Sequence, residues 1–589
     1  MPLSQSAQSQ LSADAIANIN KWLDEPKYKE YKSELEDMIA KERWQELEDA
    51  FFKVIEFGTG GRRGITGIGS NRINRVTIGE SAQALCSYVQ NFDPDAAEKG
   101  VVIACDTRLT SPELSRYTAQ VCAANGFKTY IFDEFRSTPE LSFAVRHLGA
   151  AIGIVISASH NPPQDNGFKA YWTDGGQLVA PHDIGVLAEA AKINVINTID
   201  YDDAVKSEKV RIISKEVDDA YVAAATHQAE GDAREINIVY SPLHGAGQTN
   251  VLPVLRAAGF ASISVVEAQM VPDGNFPTVG NGKANPEEPS ANDMAVRQML
   301  SEGADIAITN DPDADRIGVI VRQNKEPIYL NGNQSAVLAT DYVLQQRAAK
   351  KMLDGRQYIA KTIVTTDLLD AIAHKYNVNI YGNFLVGFKY IGELIKNKED
   401  TKEEFLIGGE ESYGLLKGDY ARDKDGATGA LALAEYAAYL KQKGMTLNDR
   451  LFEIYSEHGL YLERLDNVQS PGADGFERMQ KIMRNLRSEP PKMIGGHQVT
   501  SIIDYRTLKK INRESGDVAD VECVSGDVIV LEFGDHRRRI TIRPSGTEPK
   551  MKFYTQWYED ASEDIVMQYD VLTNKLESIS KELATLLFS

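Results

Sequence analysis

The chain has 589 residues, of which 42% are hydrophobic and 25% charged, and its net charge at pH 7 is −21. This length predicts several domains, and the composition provides each with a core. The acidic balance argues against nucleic acid or an anionic membrane surface as the main partner, whereas a small anionic ligand responds to local charge. No apolar run reaches the roughly 20 residues of a membrane span. The N-terminal residues predict no signal peptide, and the four cysteines lack metal-ligand spacing, so we expect a cytoplasmic protein.

The predicted elements begin with a helical N-terminal extension over residues 1–50. Its apolar residues recur at helical spacing in two stretches, 12–25 and 32–52, which Pro26 separates. We expect one amphipathic helix in each stretch. The sequence assigns no role to the extension, and packing against the first domain and binding to a partner are both open.

After residue 50, short apolar strands alternate with longer helical patterns, as in α/β domains. The strands come in three rounds of three, at 101–106, 128–133 and 151–157, then 236–241, 263–268 and 304–309, then 358–364, 378–383 and 404–409. A fourth segment, from about residue 480, has a different pattern. The three rounds predict three similar α/β domains.

In each round the third strand ends in an unusually polar loop. These loops read SASHNPP (157–163), NDPDADR (310–316) and GEESYG (409–414), and a strand of the fourth segment ends in RPSGTEPK (543–550). Strand ends of α/β sheets are where ligands usually bind, so the four loops predict one common cleft. A polar turn would explain any one of them taken singly.

The second loop places Asp311, Asp313 and Asp315 at alternate positions. Side chains two apart in extended backbone point the same way, and Pro312 keeps the segment from becoming helical. Carboxylates so close repel one another, and a hard divalent cation relieves the repulsion. An EF-hand is excluded because Arg316 stands where that loop needs glycine. The few adjacent oxygen ligands favour an open Mg²⁺ site.

Three other segments suit an anionic sugar ligand. Arg543 and the hydroxyl and glycine residues after it can cradle a phosphate. Glu410 and Ser412 can bind adjacent sugar hydroxyls. The early segment FGTGGRRG (57–64) offers two arginines, but Arg63 breaks the dinucleotide-binding pattern.

Ser159 is not in the G-x-S-x-G elbow of serine hydrolases, because Ala158 and His160 flank it. Beside a cation site and a phosphate cradle, its hydroxyl can instead carry a phosphoryl group. Lys169 can move a proton if its surroundings lower its pKa, and a solvated loop lysine is the alternative.

Together these loops resemble those of the α-D-phosphohexomutase family, which includes phosphoglucomutases and phosphomannomutases. SASHNP is similar to the family's phosphoserine loop, DPDADR to its magnesium loop, GEESYG to its sugar loop and RPSGTEPK to its phosphate loop. FGTGGRRG resembles the early GTSGLRG, with Arg62 at the usual leucine, and VGFKYI (386–391) resembles a substrate-contacting segment. The matches run in the family's order over about 55–558. They imply a four-domain enzyme around a central cleft. Three similar α/β domains with mixed sheets would span 51–230, 231–332 and 333–465, and a smaller fourth domain at 466–589 would be an α+β unit like the TATA-binding protein.

The resemblance also implies a role for each matching residue. Ser159 would be the phosphorylated nucleophile and would hold Mg²⁺ together with Asp311, Asp313 and Asp315. The other matches are a catalytic group, Arg63, His160 and Lys169, and a substrate-binding group, Arg316, Lys389, Glu410, Ser412, Arg543, Ser545, Gly546 and Thr547. The implied reaction moves a phosphoryl group between C1 and C6 of a hexose phosphate, with glucose 1,6-bisphosphate as intermediate and activator.

The preferred sugar is open between glucose, mannose and pentose phosphates. Gly414 stands where bifunctional members have histidine, which favours glucose over mannose. The chain length and NGFKAYW (166–172) also resemble a branch with phosphopentomutases and glucose-1,6-bisphosphate synthases, so phosphopentomutase is the main alternative. An aspartate-nucleophile phosphatase, which would have Thr or Val at Asp315, and an inactive sugar-phosphate-binding protein are more distant alternatives. We expect the run HRRR (536–539) to be a solvated strand edge.

Overall fold

Four main sheets follow one another along the chain in the computed structural model, which describes residues 10–55, 61–470, 475–545 and 550–588. Three are mixed sheets with helices packed on them, and the last is antiparallel. The predicted fold class is therefore confirmed, while the residue boundaries of the domains stay predictions. Within the described residues, no helix is both long and apolar enough to cross a membrane.

From residue 13 onward, the N-terminal extension forms three α-helices and a 3₁₀ helix. They span Ala13–Asp24, Pro26–Tyr31 (3₁₀), Lys32–Ala40 and Trp44–Phe51. The prediction of one helix over 32–52 is wrong, because Glu42 has a left-handed backbone with φ of 52° that ends the helix. No glycine or proline signals this break. The apolar faces pack with Ile68 and Val76 of the first domain into one core.

The first mixed sheet has the strand order β1-β5-β4-β2-β3-β6. The strands are β1 (Gly61–Ile65), β2 (Val101–Cys105), β3 (Thr129–Phe132), β4 (Ile152–Ile156), β5 (Asp165–Tyr171) and β6 (Val210–Ile213). The helices are Arg75–Phe92, Ala96–Lys99, Ser111–Ala124, Thr138–His147, His182–Ala190, Tyr201–Lys206 and Lys215–Thr226. β2, β3 and β4 are the three predicted strands, and they pair in parallel.

The second mixed sheet has the order β11-β10-β9-β7-β8. Its strands are β7 (Ile238–Ser241), β8 (Ile263–Val265), β9 (Ile306–Asn310), β10 (Ile317–Gln323) and β11 (Glu326–Leu330). Its helices are Gly247–Ala257, Glu267–Met270 and Asp293–Glu302, with 3₁₀ helices at Gly280–Gly282 and Pro289–Asn292.

The third mixed sheet has the order β13-β12-β14-β15. Its strands are β12 (Gln357–Lys361), β13 (Asn379–Tyr381), β14 (Glu404–Glu410) and β15 (Gly414–Lys417). Its helices are Gly332–Ala349, Leu368–Lys375, Lys389–Lys398, Gly426–Lys441 and Leu447–His458. In all three mixed sheets the polar loop follows a buried strand (β4, β9 or β14) and leads into an antiparallel partner (β5, β10 or β15).

The C-terminal sheet has the order β16-β24-β23-β22-β19-β20-β21, beside a small β17-β18 hairpin. Its strands are β16 (Leu460–Gln469), β17 (Met493–Ile494), β18 (His497–Gln498), β19 (Ser501–Asp504), β20 (Lys509–Asn512), β21 (Val518–Asp520), β22 (Ile529–Phe533), β23 (Asp535–Pro544) and β24 (Lys550–Glu559). The helices are Gly475–Ser488 and Ile565–Phe588.

The run HRRR lies in β23, which pairs with β22 on one side and β24 on the other. Within the run, Arg539 pairs with both strands, whereas His536 is exposed, so the prediction of a solvated strand edge is wrong for Arg539. Arg539 of this run contacts the third domain, where Nη2 lies 2.9 Å from Asp367 Oδ1 and 3.1 Å from the carbonyl oxygen of Ile363. Gln556 Nε2 donates to the carbonyl of Thr365 at 3.2 Å. Side chains thus join the C-terminal sheet to the third domain.

Glu80 ties the N-terminal extension to β1. Its carboxylate lies 2.8 Å from Lys27 Nζ of the extension and 3.4 Å from Arg62 Nη1 of β1. Arg62 also donates to the carbonyl of Thr77 at 2.8 Å. Since Arg63 follows on the same strand, the extension supports the segment that carries this predicted site residue.

We predict that Glu80→Gln destabilises the first domain by roughly 3 kcal/mol, because it leaves two largely buried cations without their counter-charge. Urea unfolding followed by tryptophan fluorescence measures the change. Asp37→Asn is the control, since Asp37 pairs with Lys41 at 2.8 Å on the exposed surface and should matter little. Equal midpoints for Glu80→Gln and wild type would contradict the supporting role.

Candidate active site

The serine loop places Ser159 where the first and second domains meet. Ser159 is 2% exposed, and its Oγ donates to Asp311 Oδ2 at 2.6 Å. The same Oγ lies 3.2 Å from His160 Nδ1. Burial, and then the positive charges nearby, lower the pKa of His160 well below its ordinary value. His160 is therefore neutral near pH 7, and Ser159 faces an acidic cluster across the domain boundary.

Asp311, Asp313 and Asp315 form that cluster directly after β9. All three side chains are buried, and one oxygen from each lies within 4.8 Å of the others. Burial and the neighbouring carboxylates raise the pKa of Asp311 well above its ordinary value. Among the described residues, Oδ1 of Asp313 and Oδ1 of Asp315 have no hydrogen-bond partner. Buried anionic oxygens with free lone pairs are suited to a hard cation.

Two lysines from different domains balance part of this charge. Lys169 Nζ on β5 lies 2.5 Å from Asp313 Oδ2, and Lys424 Nζ of the third domain lies 3.2 Å from Asp315 Oδ2. Burial alone would raise the pKa of Asp313, but Lys169 holds it well below its usual range. Thr138 adds a hydroxyl bond of 2.7 Å to Asp313 Oδ2.

Arg316 lies on the other side of the cluster. Its backbone N–H donates to Asp311 Oδ1 at 3.0 Å, and its Nη1 bonds to Glu287 at 2.7 Å. Its Nε is 4.0 Å from Asp311 Oδ2 and has no hydrogen-bond partner in the described part of the chain. A buried donor of this kind is available to an anionic ligand.

Backbone hydrogen bonds fix the aspartate loop to both neighbouring domains. Thr138 N donates to the carbonyl of Asp313 at 2.9 Å from the first domain. Ile317 N donates to Tyr413 O at 3.0 Å in the third domain, where Arg316 and Gly414 form an isolated β-bridge. The loop geometry is therefore set by three domains together.

The predicted sugar loop lies at the end of β14. Glu410 is buried and its Oε1 accepts a hydrogen bond from Gly387 N at 3.0 Å, while Ser412 lies in the turn to β15. Burial raises the pKa of Glu410. Lys389 lies two residues after Gly387, buried, with its Nζ 3.6 Å from Asp183 Oδ2 of the first domain. Burial also lowers the pKa of Lys389.

The predicted phosphate cradle contains a pair of cations. Arg543 on β23 and Lys552 on β24 are direct cross-strand partners, and Ser545 N donates to the carbonyl of Lys550 at 2.8 Å. Burial and the charge of Arg543 lower the pKa of Lys552 to about 8. The charge of Lys552 contributes in turn to the low pKa of His160, so the cradle lies within electrostatic reach of the serine loop.

The remaining predicted site residues are Arg63, Gly546 and Thr547. Arg63 Nη1 lies 3.4 Å from Asn161 Oδ1 of the serine loop, and burial lowers the pKa of Arg63. Gly546 and Thr547 lie outside the described residues, as do residues 57–60 of the early glycine-rich segment.

Sequence reasoning missed Thr138, Glu287 and Lys424. Thr138 begins a helix in the segment RSTPE, which reads as an ordinary N-cap, and Lys424 lies in the polar run ARDKDG. The one signal that could have drawn attention to Lys424 is its place in a run of charged residues directly after β15, because the other polar loops also follow strands.

The chain is similar to curated proteins over most of its length. It is 34% identical over 532 residues to a phosphoglucomutase of Staphylococcus haemolyticus, covering 88% of this chain and 94% of that one. It is 32% identical over 565 residues to a phosphoglucomutase of Staphylococcus epidermidis, covering 95% and 98%.

Solved structures share the fold. A putative phosphomannomutase from Thermus thermophilus, 21% identical, superposes with a TM-score of 0.63 over 91% of this chain and 100% of that chain. A phosphoglucomutase (parafusin) from Paramecium in an open form, 17% identical, also gives 0.63 over 90% and 97%.

Family models identify the three mixed-sheet domains. Residues 54–195, 219–324 and 331–458 match the models described as phosphoglucomutase/phosphomannomutase alpha/beta/alpha domains I, II and III. These matches cover more than half of the chain and agree with the curated relatives. The chain belongs to the phosphoglucomutase/phosphomannomutase family, the α-D-phosphohexomutases.

Proposed function

We propose that this enzyme interconverts glucose 1-phosphate and glucose 6-phosphate through a phosphoserine at Ser159. The observation that carries the proposal is the contact of Ser159 Oγ with the buried aspartate cluster, 2.6 Å from Asp311. Arg543 and Lys552 supply a separate grip for a second phosphate within electrostatic reach of it. The staphylococcal relatives named phosphoglucomutase favour glucose as the sugar.

The aspartate cluster fits Mg²⁺. Its donors are all oxygens, and two of them are buried without a hydrogen-bond partner among the described residues. Asp311, Asp313 and Asp315 would hold the ion together with the oxygen of Ser159. When bound, Mg²⁺ neutralises charge that develops on the serine and phosphoryl oxygens.

In the proposed transfer, phosphorylated Ser159 gives its phosphoryl group to the free hydroxyl of the sugar phosphate. The P–O bond to the serine oxygen breaks, that oxygen keeps the electron pair, and a P–O bond to the sugar forms. Lys169 is proposed to relay the proton of the sugar hydroxyl to the released oxygen of Ser159, and Arg63 and His160 are proposed to flank the transferred group. Phosphoryl transfer depends on alignment and charge neutralisation, which buried, fixed groups provide.

The product of this step is glucose 1,6-bisphosphate, which turns over and returns its other phosphoryl group to Ser159. Glu410 and Ser412 are proposed to bind adjacent hydroxyls, which roughly exchange places when the sugar turns. The distal phosphate is proposed to bind in both orientations to the remaining residues of the substrate-binding group, Arg316, Lys389, Arg543, Ser545, Gly546 and Thr547, together with Lys552.

A coupled assay with glucose, mannose and ribose 1-phosphates, each with its bisphosphate, tests the function. We expect glucose 1-phosphate to have the highest kcat/KM. Ser159→Ala should lower kcat at least about a thousandfold because the nucleophile is lost.

Ser115→Ala is the matched control, since Ser115 is a buried serine of the same domain whose Oγ donates to Pro112 O at 3.0 Å. It should keep normal activity. Normal turnover by Ser159→Ala would end the nucleophile assignment, and a preference for ribose 1-phosphate would make phosphopentomutase the activity.

A second prediction concerns the metal. Titration calorimetry should show one Mg²⁺ site in the wild type and much weaker binding in Asp315→Asn, because one of the oxygen ligands loses its charge. Asp293→Asn, an exposed aspartate of the same domain, is the control and should bind Mg²⁺ normally. Full phosphoryl transfer in excess chelator would contradict the role of the cation.

A third prediction concerns pH. Lys552 has a pKa of about 8, lowered by burial and by Arg543, so its charge is present below pH 8 and lost above it. The KM for glucose 1-phosphate should then rise about tenfold per pH unit above pH 8. Burial raises the pKa of Glu411 only to about 7, so that carboxyl is already ionised in this range.

Lys552→Arg provides the control, because arginine keeps its proton throughout this pH range. Its KM should stay flat above pH 8. A rise in KM that persists unchanged in Lys552→Arg would show that another group titrates.

A further inference from the structure

Ser159 has a backbone conformation that serine rarely adopts. Its φ of 51° lies in the left-handed region. Such a conformation persists only where the surroundings over-determine it, and it is common at functional sites. Within the loop, the N–H of Ser159 donates to Ser157 Oγ at 2.8 Å. This bond fixes the nitrogen side of the residue and leaves the direction of its carbonyl to another group.

Arg108 is that group. Its guanidinium donates to three carbonyl oxygens of the serine loop, at 2.6 Å to Ser159, 2.6 Å to Asn161 and 2.7 Å to Pro162, and at 2.8 Å to the carbonyl of Asp165, where β5 begins. The side chain is fully buried. Four short charge-assisted bonds, three to the loop and one to the start of β5, fix the path of this backbone on both sides of the turn.

Arg108 is itself held from two domains. The carboxylate of Asp106, at the end of β2, accepts a hydrogen bond from Arg108 N at 3.0 Å and lies 3.2 Å from its Nε. Ser111 Oγ donates to the same carboxylate at 2.6 Å. From the second domain, the ring of Phe276 lies 5.4 Å from the guanidinium carbon. The backbone of Gly274 packs so closely that a Cβ there would lie 2.7 Å from Arg108 Cα.

We propose that Arg108 is the positioning residue of the nucleophile, which holds the serine loop in the conformation that directs Ser159 Oγ toward the aspartate cluster. Arg108 acts through backbone carbonyls and contacts no reacting atom. The inference rests on the proposed function of Ser159. Lysine cannot substitute, because a single ammonium group cannot reach four carbonyls arranged around a planar guanidinium.

The first test is Arg108→Lys, which keeps the positive charge and removes the planar guanidinium with its several N–H donors. We expect kcat with glucose 1-phosphate to fall about 100-fold, since a nucleophile displaced by about 1 Å loses that much. The KM should stay unchanged because the phosphate cradle is intact. Transfer of a phosphoryl group from glucose 1,6-bisphosphate to the protein, followed by intact mass, should slow in proportion. A folded Arg108→Lys variant with normal kcat overturns the proposal.

Chemical rescue separates positioning from general stability. Arg108→Ala should gain activity when guanidinium ion is added at non-denaturing concentration, while the wild type should not. Arg450→Lys is the matched control, because Arg450 is also buried and lies 3.0 Å from Asp341, on the helix Leu447–His458. Its kcat should remain within about twofold of wild type. Equal losses in both lysine variants would overturn the specific role of Arg108.

The phosphorylation assay distinguishes this inference from the proposed function. If the wild type takes no phosphoryl group from the bisphosphate, both the proposed function and the inference about Arg108 fail. If the wild type takes up the phosphoryl group and Arg108→Lys takes it up at the same rate, only the inference about Arg108 fails. Where the Arg108 variants do not fold, Asp106→Asn decides, because it loosens the anchor of the guanidinium. A lower kcat at unchanged KM supports the proposal, and an unchanged kcat overturns it.

Discussion

The rest of the site depends on the repulsion among three buried carboxylates. Asp311, Asp313 and Asp315 bring their oxygens within 4.8 Å of one another, away from water. Unpaired charges in such a place are costly, so the fold must supply cations. Lys169 comes from the first domain and Lys424 from the third. The acidic loop is therefore stable only when neighbouring domains are assembled around it, and that assembly also delivers the serine.

The same constraint accounts for the fixed backbone around the site. The carbonyl of Asp313 is bonded to Thr138 N, and Ile317 N is bonded to the carbonyl of Tyr413. Ser159 is held in a left-handed conformation within hydrogen-bond distance of Asp311. Groups fixed in this way need little reorganisation when charge shifts during phosphoryl transfer, and such preorganisation is a major source of rate enhancement. The free energy of folding thereby covers the cost of ordering these groups before the substrate binds.

The strands and their polar ends were predictable because a strand buried on both faces reads as an apolar run, and turn residues mark its end. Ser159 and the three aspartates were found in this way. Lys424 could not be found, because a lysine in a polar run looks solvated until the domains that meet there are known. The break at Glu42 has no glycine or proline to announce it. The interior position of Arg539 was hidden because cross-strand neighbours cannot be read from one sequence.

The contacts of the C-terminal sheet differ in kind from those of the aspartate loop. Gln556 and Arg539 reach the third domain through side chains, whereas backbone hydrogen bonds join the aspartate loop to its neighbours. The bond of Gln556 is itself buried, and apolar residues of the two domains, among them Leu385 and Tyr554, form one cluster. Arg543 and Lys552 are carried by this same sheet, so any shift of the sheet against the third domain moves the cationic pair relative to the aspartate loop.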